Sequence, residues 1–496
     1  MSKNLLNHRS VFVGGGVPYV SYLWLLPVID GYCAKNNIKT LIFEADLSDE
    51  LLEHSVIKKI LEKYYLIFPF KKNFNTYFYF SLYFLKYLKL FFLLIFIKKK
   101  KILNKKNSDF KTYLYHSMWD TSFQKKTHFL YPNLISKITS AIRIIYKIYM
   151  SNILINKKIH SAFMIHSVYH HRILLFKLLN NRIKVFIENG SSYLIQCKSL
   201  YNNYSLVEKK YLNKFFINFL KKKNVIKKYW NLRVKGQGNR LETYTPSFGK
   251  FNLYKDYLSN VIMLPVLKDS HFMHIDRNRI FTDSIDWLKY TLKVISSSKE
   301  KWIIKPHPSM RAWGEDTKKI IDLMLKDNYA NFENVKYAED ISNSEVFLNA
   351  KRIITFNGTC QVESGCYGIK PIVISRIDYN YYNKKLVLIP KTLIEYKKLL
   401  LLSSDSGIFK LNKKESMNCK FFIFFKEKVI SLNEEIGKFL ELRNSSQKIK
   451  KNNFNLVSGN IKKNYKYLIH IGNLLGRDLN ITISKKYMKY LTNNQL

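Results

Sequence analysis

Four short apolar runs in the second half of the chain do most to restrict its fold: residues 261–264 (VIML), 302–305 (WIIK), 351–356 (KRIITF) and 371–374 (PIVI). Each has the length and β-branched content of a strand. Between them lie segments able to hold helices; residues 284–296 place Trp287 and Leu288 in an amphipathic helical pattern. Strands joined through helices pack as a parallel sheet covered by those helices, so this half reads as α/β.

The chain opens in a related way. Residues 10–13 (SVFV) form a candidate strand, followed by Gly14, Gly15 and Gly16, an apolar stretch with Tyr22, Leu25, Leu26 and Ile29, and a second strand at 40–43. Strand, glycine turn, helix and strand make a Rossmann-type βα unit, in which glycines let the backbone approach a ligand or simply make a tight turn. A chain of 496 residues exceeds one ordinary core, and two α/β domains are expected. The boundaries read as 1–240, 241–411 and a Lys/Asn-rich, partly helical tail, 412–496, that packs back across the first domain. The basic, glycine-containing loop 233–240 marks the first boundary.

The formal charge is +47, yet only 13 of the 83 basic residues are arginine. Nucleic-acid surfaces favour arginine for bidentate contacts, and no binding motif is present, so nucleic acid is not an expected partner. A basic surface still attracts nucleotides, acidic glycans and anionic lipid. Cys33, Cys197, Cys360, Cys366 and Cys419 form no C-x-x-C pair and imply neither a disulfide framework nor zinc. With no signal-peptide pattern at the start, the reducing cytoplasm is the expected compartment.

From 73 to 97 the chain is dominated by Phe, Tyr and Leu, interrupted by Lys86 and Lys89 and followed by Lys98 to Lys101, Lys105 and Lys106. Residues 77–97 are long enough to cross a bilayer, but two central lysines are costly there. A basic, aromatic helix lying in the membrane interface fits better, and a buried helix with lysine stems at the surface is the alternative. The insertion near 73–106 therefore predicts peripheral attachment to the inner face of the cytoplasmic membrane.

Three strand ends carry candidate chemistry. Lys305-Pro306-His307-Pro308 closes the 302–305 run, where two prolines fix the backbone around a histidine able to donate to a phosphate oxygen beside a cation. Asn357, Gly358 and Thr359 lead from the next strand into a helix whose first N–H groups suit an anion, with Glu363 one turn in as a partner for ribose hydroxyls or a solvent-facing helical residue. In the first domain, Glu188-Asn189-Gly190 closes the strand 184–187, giving either a general base for an acceptor hydroxyl or an ordinary turn carboxylate. His166, His170 and His171 lack a local carboxylate, and no metal site is expected. His116, Trp119 and Asp120 suit either a sugar-stacking contact or a plain loop.

The order E-N-G, then Leu264-Pro265 with Asp269-Ser270, then K-P-H-P, then N-G-T-x-x-x-E and Gly368-x-Lys370-Pro371, resembles the bacterial capsule-polysaccharide biosynthesis glycosyltransferases. It is most similar to the capsular Kdo-transferase group and more distantly to bacterial sialyltransferases. The resemblance covers about 184–375 and implies a GT-B arrangement, two Rossmann-like domains around a cleft. It implies a nucleotide-sugar co-substrate, a CMP-linked ulosonic acid, with no further cofactor, and a glycan or glycolipid acceptor. Glu188 then takes the role of base and His307 contacts the phosphate, with Lys305, Pro308, Asn357, Gly358, Thr359 and Glu363 around the donor. Gly15, Gly16, Asp269 and Ser270 line the cleft or the acceptor side. Asn189 stands where the sialyltransferases often carry a second acidic residue, which leaves the donor class open. A teichoic-acid-type CDP-polyol phosphotransferase and a non-catalytic polysaccharide export protein are the rival functions.

Overall fold

The computed structural model describes residues 9–14, 19–47, 49–70, 74–96, 114, 117–118, 133–157, 159–164, 170–188, 194–197, 215, 223–234, 254–267, 280–281, 284–308, 310, 315–326, 333–356, 358–374, 384–436, 447–476, 478–479 and 481–492. They contain two sheets. The first comprises β1 (Ser10–Gly14), β2 (Thr40–Phe43), β3 (Tyr65–Ile67), β4 (Ser161–Met164), β5 (Lys184–Glu188) and β6 (Leu194–Cys197), in the spatial order β3-β2-β1-β4-β5-β6. Its strands are parallel except β6, which runs antiparallel to β5. The second comprises β7 (Asn260–Met263), β8 (Trp302–Lys305), β9 (Val335–Tyr337), β10 (Arg352–Thr355) and β11 (Ile372–Val373), all parallel, in the order β11-β10-β7-β8-β9.

Counted within each sheet, the first strand lies in the middle, the second and third to one side, and the fourth and fifth to the other. Both sheets therefore have the doubly wound Rossmann order, with a switch point between β1 and β4 in one and between β7 and β10 in the other. Two such sheets in one chain give the GT-B-like α/β fold expected from the sequence.

Strand alternation decides what covers each face. Val11, Val13, Leu41, Phe43, Phe163 and Phe186 point to one side of the first sheet, where helix α1 (Tyr19–Lys35) packs. Phe12, Ile42, Ala162, Met164, Val185 and Ile187 point to the other, in one cluster with Met150 and Leu154 of a later helix, α4 (Leu134–Asn156). Between them in the chain come α2 (Phe74–Lys86) and α3 (Leu88–Phe96), bent by 71° at Tyr87, so the aromatic stretch is two helices rather than one. Both lean on α4, with Phe80 edge-on to Tyr146 and the Tyr83 hydroxyl accepting from Asn152 at 2.7 Å. Helix α5 (Lys223–Val234) ends the first half.

In the second sheet, Ile262, Ile304 and Ile354 face α6 (Ser284–Ile295) through Trp287 and Leu288, while Val261, Ile303 and Ile353 face α7 (Asn343–Asn349) through Val346 and Phe347. Arg352, fully buried at the start of β10, donates to Asn260 Oδ1 at 2.8 Å and to the Leu400 carbonyl at 2.9 Å, pairs with Glu300 and lies over the Trp302 ring. These contacts satisfy a guanidinium that would otherwise be very costly inside a sheet. Helix α8 (Cys360–Cys366) follows β10.

The last part of the chain belongs to both halves. Helix α9 (Lys413–Phe424) packs on α8, and the wider turn 425–429 then carries the chain to the first half. There α10 (Gln447–Leu474) lies along α1. The two backbones touch: a Cβ on Gly31 would fall on the carbonyl of Ile469, and one on Gly472 on the carbonyl of Val28. This leaves α1 enclosed between the sheet and α10, which is why its sequence, YVSYLWLLPVIDGYCAK, is apolar nearly all round. Asp30, its buried acid, accepts from Lys63 and Tyr64 at 2.7 Å each and from Tyr465 of α10 at 3.2 Å. Beyond α10, Thr482 N donates to the Leu194 carbonyl at 3.0 Å, which extends the sheet edge at β6.

The close crossing sets a sharp expectation. Gly31→Ala and Gly472→Ala each push a methyl into backbone and should lower the unfolding free energy by about 1–3 kcal/mol or more. Gly459→Ala, also in α10 but with nothing within 4 Å of its added Cβ, should hold or gain stability by up to about 1 kcal/mol through helix propensity. Urea denaturation of the three variants checks the contrast.

Candidate active site

Lys305 is the last residue of β8, its Cα paired with Met263 of β7, and its side chain is buried. Its carbonyl accepts from Leu264 N at 2.9 Å, which ties the exits of β7 and β8 together. Among the described residues the Lys305 ammonium makes one hydrogen bond, a long one of 3.5 Å to the Pro306 carbonyl. Burial pushes it down to about 8, against the upward pull of Glu339 and Asp340 beyond β9 and of Glu345 in α7. A buried cation with three donors and one weak bond favours an acceptor-rich or anionic ligand.

The turn beyond it is fixed by its sequence. Pro306 is buried, His307 half-buried and Pro308 exposed, and the His307 carbonyl accepts from Met310 N at 3.0 Å. Two strands away, Thr355 ends β10 and Gly358 follows with φ 115°, which only glycine adopts without strain. Thr359 then starts α8 without capping it through its side chain. Because β7 lies between β10 and β8, the K-P-H-P turn, the Leu264-Pro265 exit and the Gly358-Thr359 turn stand on three adjacent strand ends, roughly 10 Å from first to last at the usual strand spacing. The switch point between β7 and β10 lies among them. The resemblance grouped the K-P-H-P and N-G-T motifs around one donor, and the sheet order puts their strand ends on either side of β7.

Glu363 has a different partner from the ribose or solvent expected of it. Its Oε1 accepts from Arg233 of α5 at 2.6 Å, both side chains being 2 % exposed. Its carboxylate is thus committed to the junction between the halves. Burial pushes the Cys360 thiol up to about 12, and its Sγ donates to Thr355 Oγ1 at 3.4 Å. The sequence reading missed Gln361, which is buried in the first turn of α8 and whose amide N and O have no partner among the described residues. Its signal, one Gln among small residues after a glycine turn, is too common to have marked it.

In the first sheet Glu188 is 2 % exposed, so it is no surface turn residue. It ends β5 one step beyond the level of Gly14 and Met164, opposite Leu194 of β6. At the same sheet edge Glu44 donates its N–H to the Val13 carbonyl at 3.0 Å and pairs with buried Lys147 of α4. Gly14 is required there, since a Cβ would meet the Phe12 ring and lie 2.7 Å from Glu44 Oε2. Gly15, Gly16, Asn189, Asp269, Ser270 and Asn357 lie outside the described residues, as do His116, Trp119, Asp120 and His166. No group of three or more potential metal ligands occurs among the described residues. A concavity of about 510 Å³ beside Trp230, Tyr367 and Lys420 belongs to the junction of the halves and not to the strand-end turns.

Lys305 makes the site's pH behaviour testable. A lysine held below its ordinary 10.5 binds its proton more weakly folded than unfolded. The cost of burying its charge is fully present below about pH 8 and disappears as pH rises towards 10.5. The unfolding free energy of the wild type, relative to Lys305→Met, should therefore rise by on the order of 3 kcal/mol across that window. Denaturant titrations of both proteins at several pH values measure it, and a flat difference would place the ammonium in water.

No family model and no curated protein matches the chain. Solved structures similar to it include the UDP-GlcNAc 2-epimerase of Methanocaldococcus jannaschii in complex with UDP-GlcNAc and UDP, at 12% identity and TM-score 0.28, covering 84% of this chain and 98% of that one. The enzyme of Rickettsia bellii is similar at 9% identity and TM-score 0.26, covering 85% and 96%, and that of Neisseria meningitidis bound to UDP-GlcNAc at 12% and 0.20, covering 92% and 100%. At TM-scores this low the fold stands on the strand order of the chain's own two sheets.

Proposed function

We propose that the chain is a glycosyltransferase that moves a sugar from a nucleotide donor, a CMP-linked ulosonic acid, to a glycan or glycolipid of the bacterial surface. The observation that carries this reading is the buried, weakly bonded Lys305 beside His307 at the C-terminal edge of the second sheet, next to its switch point. Doubly wound sheets take their ligands at that edge. A cation and an imidazole on a turn restricted by two prolines suit a phosphate, and the Gly358 turn allows close approach of backbone.

In the proposed reaction the acceptor oxygen attacks the anomeric carbon and the bond from that carbon to the nucleotide phosphate breaks. The bonding electron pair leaves on the phosphate oxygen, where His307 donates a hydrogen bond and Lys305 supplies charge. The acceptor proton passes to Glu188. Glu188 belongs to the other sheet, so donor and acceptor functions are divided between the two halves.

His307→Ala should lower transfer by about 10²–10³-fold with the fold intact, as for other single donors to a developing oxyanion. Glu188→Gln keeps the shape but cannot take the proton; it should retain donor affinity and lose transfer. Isothermal titration against CMP-, CDP-, UDP- and GDP-sugars, with transfer assayed on the same preparations, reads both effects. Loss of affinity in Glu188→Gln would move that residue to the donor side, and unchanged transfer in both variants would refute the assignment.

A further inference from the structure

We infer that the outer face of α2 and α3 is a docking surface for an anionic phospholipid bilayer. The inner face is committed: Phe80, Tyr83, Phe84, Tyr87 and Phe91 pack on one another or on α4. The opposite face leaves Leu82, Leu85, Phe92, Leu93 and Phe96 exposed by 51%, 60%, 53%, 45% and 72%. Leu82 and Leu85 recur at helical spacing on α2, and Phe92, Leu93 and Phe96 on α3, so each helix presents an exposed apolar stripe. Scattered exposed leucines are ordinary, whereas aromatic and aliphatic stripes on adjoining helices indicate a partner.

Charge identifies that partner. Lys86 and Lys89 are exposed on these helices. The chain from 63 to 108 contains no Asp or Glu, while Lys98 to Lys101, Lys105 and Lys106 follow α3. An apolar strip bordered by lysines alone matches acyl chains beneath anionic headgroups.

Geometry sets the mode. Helices of 13 and 9 residues are about 20 and 14 Å long, each short of the roughly 30 Å hydrocarbon core. The 71° bend prevents them from forming one straight span. Helix α4 is long and apolar enough to cross a membrane, but half of it is buried inside the protein. The pair therefore lies in the interface, with one face in lipid and the other on α4, and holds the first sheet at the membrane. This attachment does not depend on the transfer reaction.

Flotation of the full chain with vesicles tests it. The wild type should float with vesicles of phosphatidylglycerol and phosphatidylethanolamine and not with phosphatidylcholine alone, and added salt should weaken binding. Lys86→Glu with Lys89→Glu should cut partitioning by at least about fivefold per lysine. Leu82→Ser, Leu85→Ser and Phe92→Ser together should cut it more than tenfold while thermal unfolding stays unchanged, because all three side chains are exposed. A dye on Leu85→Cys should become shielded from aqueous iodide on vesicles, and one on Ile394→Cys should not. Equal binding to both vesicle types, undiminished binding of the serine variant, or unshielded dye at 85 would overturn the proposal. So would a wild-type dimer that the serine substitutions dissociate, since a second copy would then cover the face.

Discussion

Arg233 carries its charge to a place where its side chain is 2 % exposed, and two carboxylates from distant parts of the chain meet it there. Glu363 comes from the helix that leaves the second sheet's switch point. Glu427 comes from the turn where the chain crosses back to the first half, and Tyr229 also binds it. None of the three charges is affordable there alone, and removing Arg233 leaves two carboxylates uncompensated at a cost of about 3–5 kcal/mol. Around this network Trp230 meets Tyr367 edge-on at 5.6 Å, and Val362 and Cys366 join the first half's core. The relative placement of the two sheets depends on these contacts, and so does the separation of Glu188 from the Lys305 turn. Apolar side chains could fill the same volume. Paired charges also demand a particular alignment of α5, α8 and the turn 425–429, since a shifted pairing would strand a buried ion.

How much was legible in the sequence depended on how local each cause is. Strands β7, β8, β10 and β11 of the second sheet stood out because, covered on both faces, they are apolar runs, and they lie within a residue or two of the segments read as strands. Strands β3, β4, β6 and β9 did not; Tyr65–Ile67 and Val335–Tyr337 are three-residue strands that are not fully buried. Ser161–Met164 is a four-residue run containing Ser and Ala, and Leu194–Cys197 finds part of its pairing near Thr482, far along the chain. The bend at Tyr87 was also invisible, since no Pro or Gly interrupts residues 74–96.

The candidate site divides in the same way. The K-P-H-P and glycine turns could be placed at strand ends from their immediate neighbours. That they flank a common strand follows only from the order of the sheet. Glu363 illustrates the limit: a carboxylate one turn into a helix suits a ribose equally well in sequence, and what engages it instead is an arginine in the other half. Gly14 had a simpler role than its triplet suggested, because the room it leaves is taken by Phe12 and Glu44.

The backbone contact between Gly31 and Ile469 has a consequence for how the molecule is made. Helix α1 leaves the ribosome more than 400 residues before the helix that covers it. At about 5–20 residues per second the interval between them is on the order of 20 to 90 seconds. Throughout that time one side of a highly apolar helix has no permanent cover, and the first sheet waits for its final layer. The nascent chain is therefore a natural client for chaperones that shield exposed apolar surface. Because so many of its stabilising contacts join sequence-distant segments, its folding should be slow for its size, with closure of the first half set by arrival of α10.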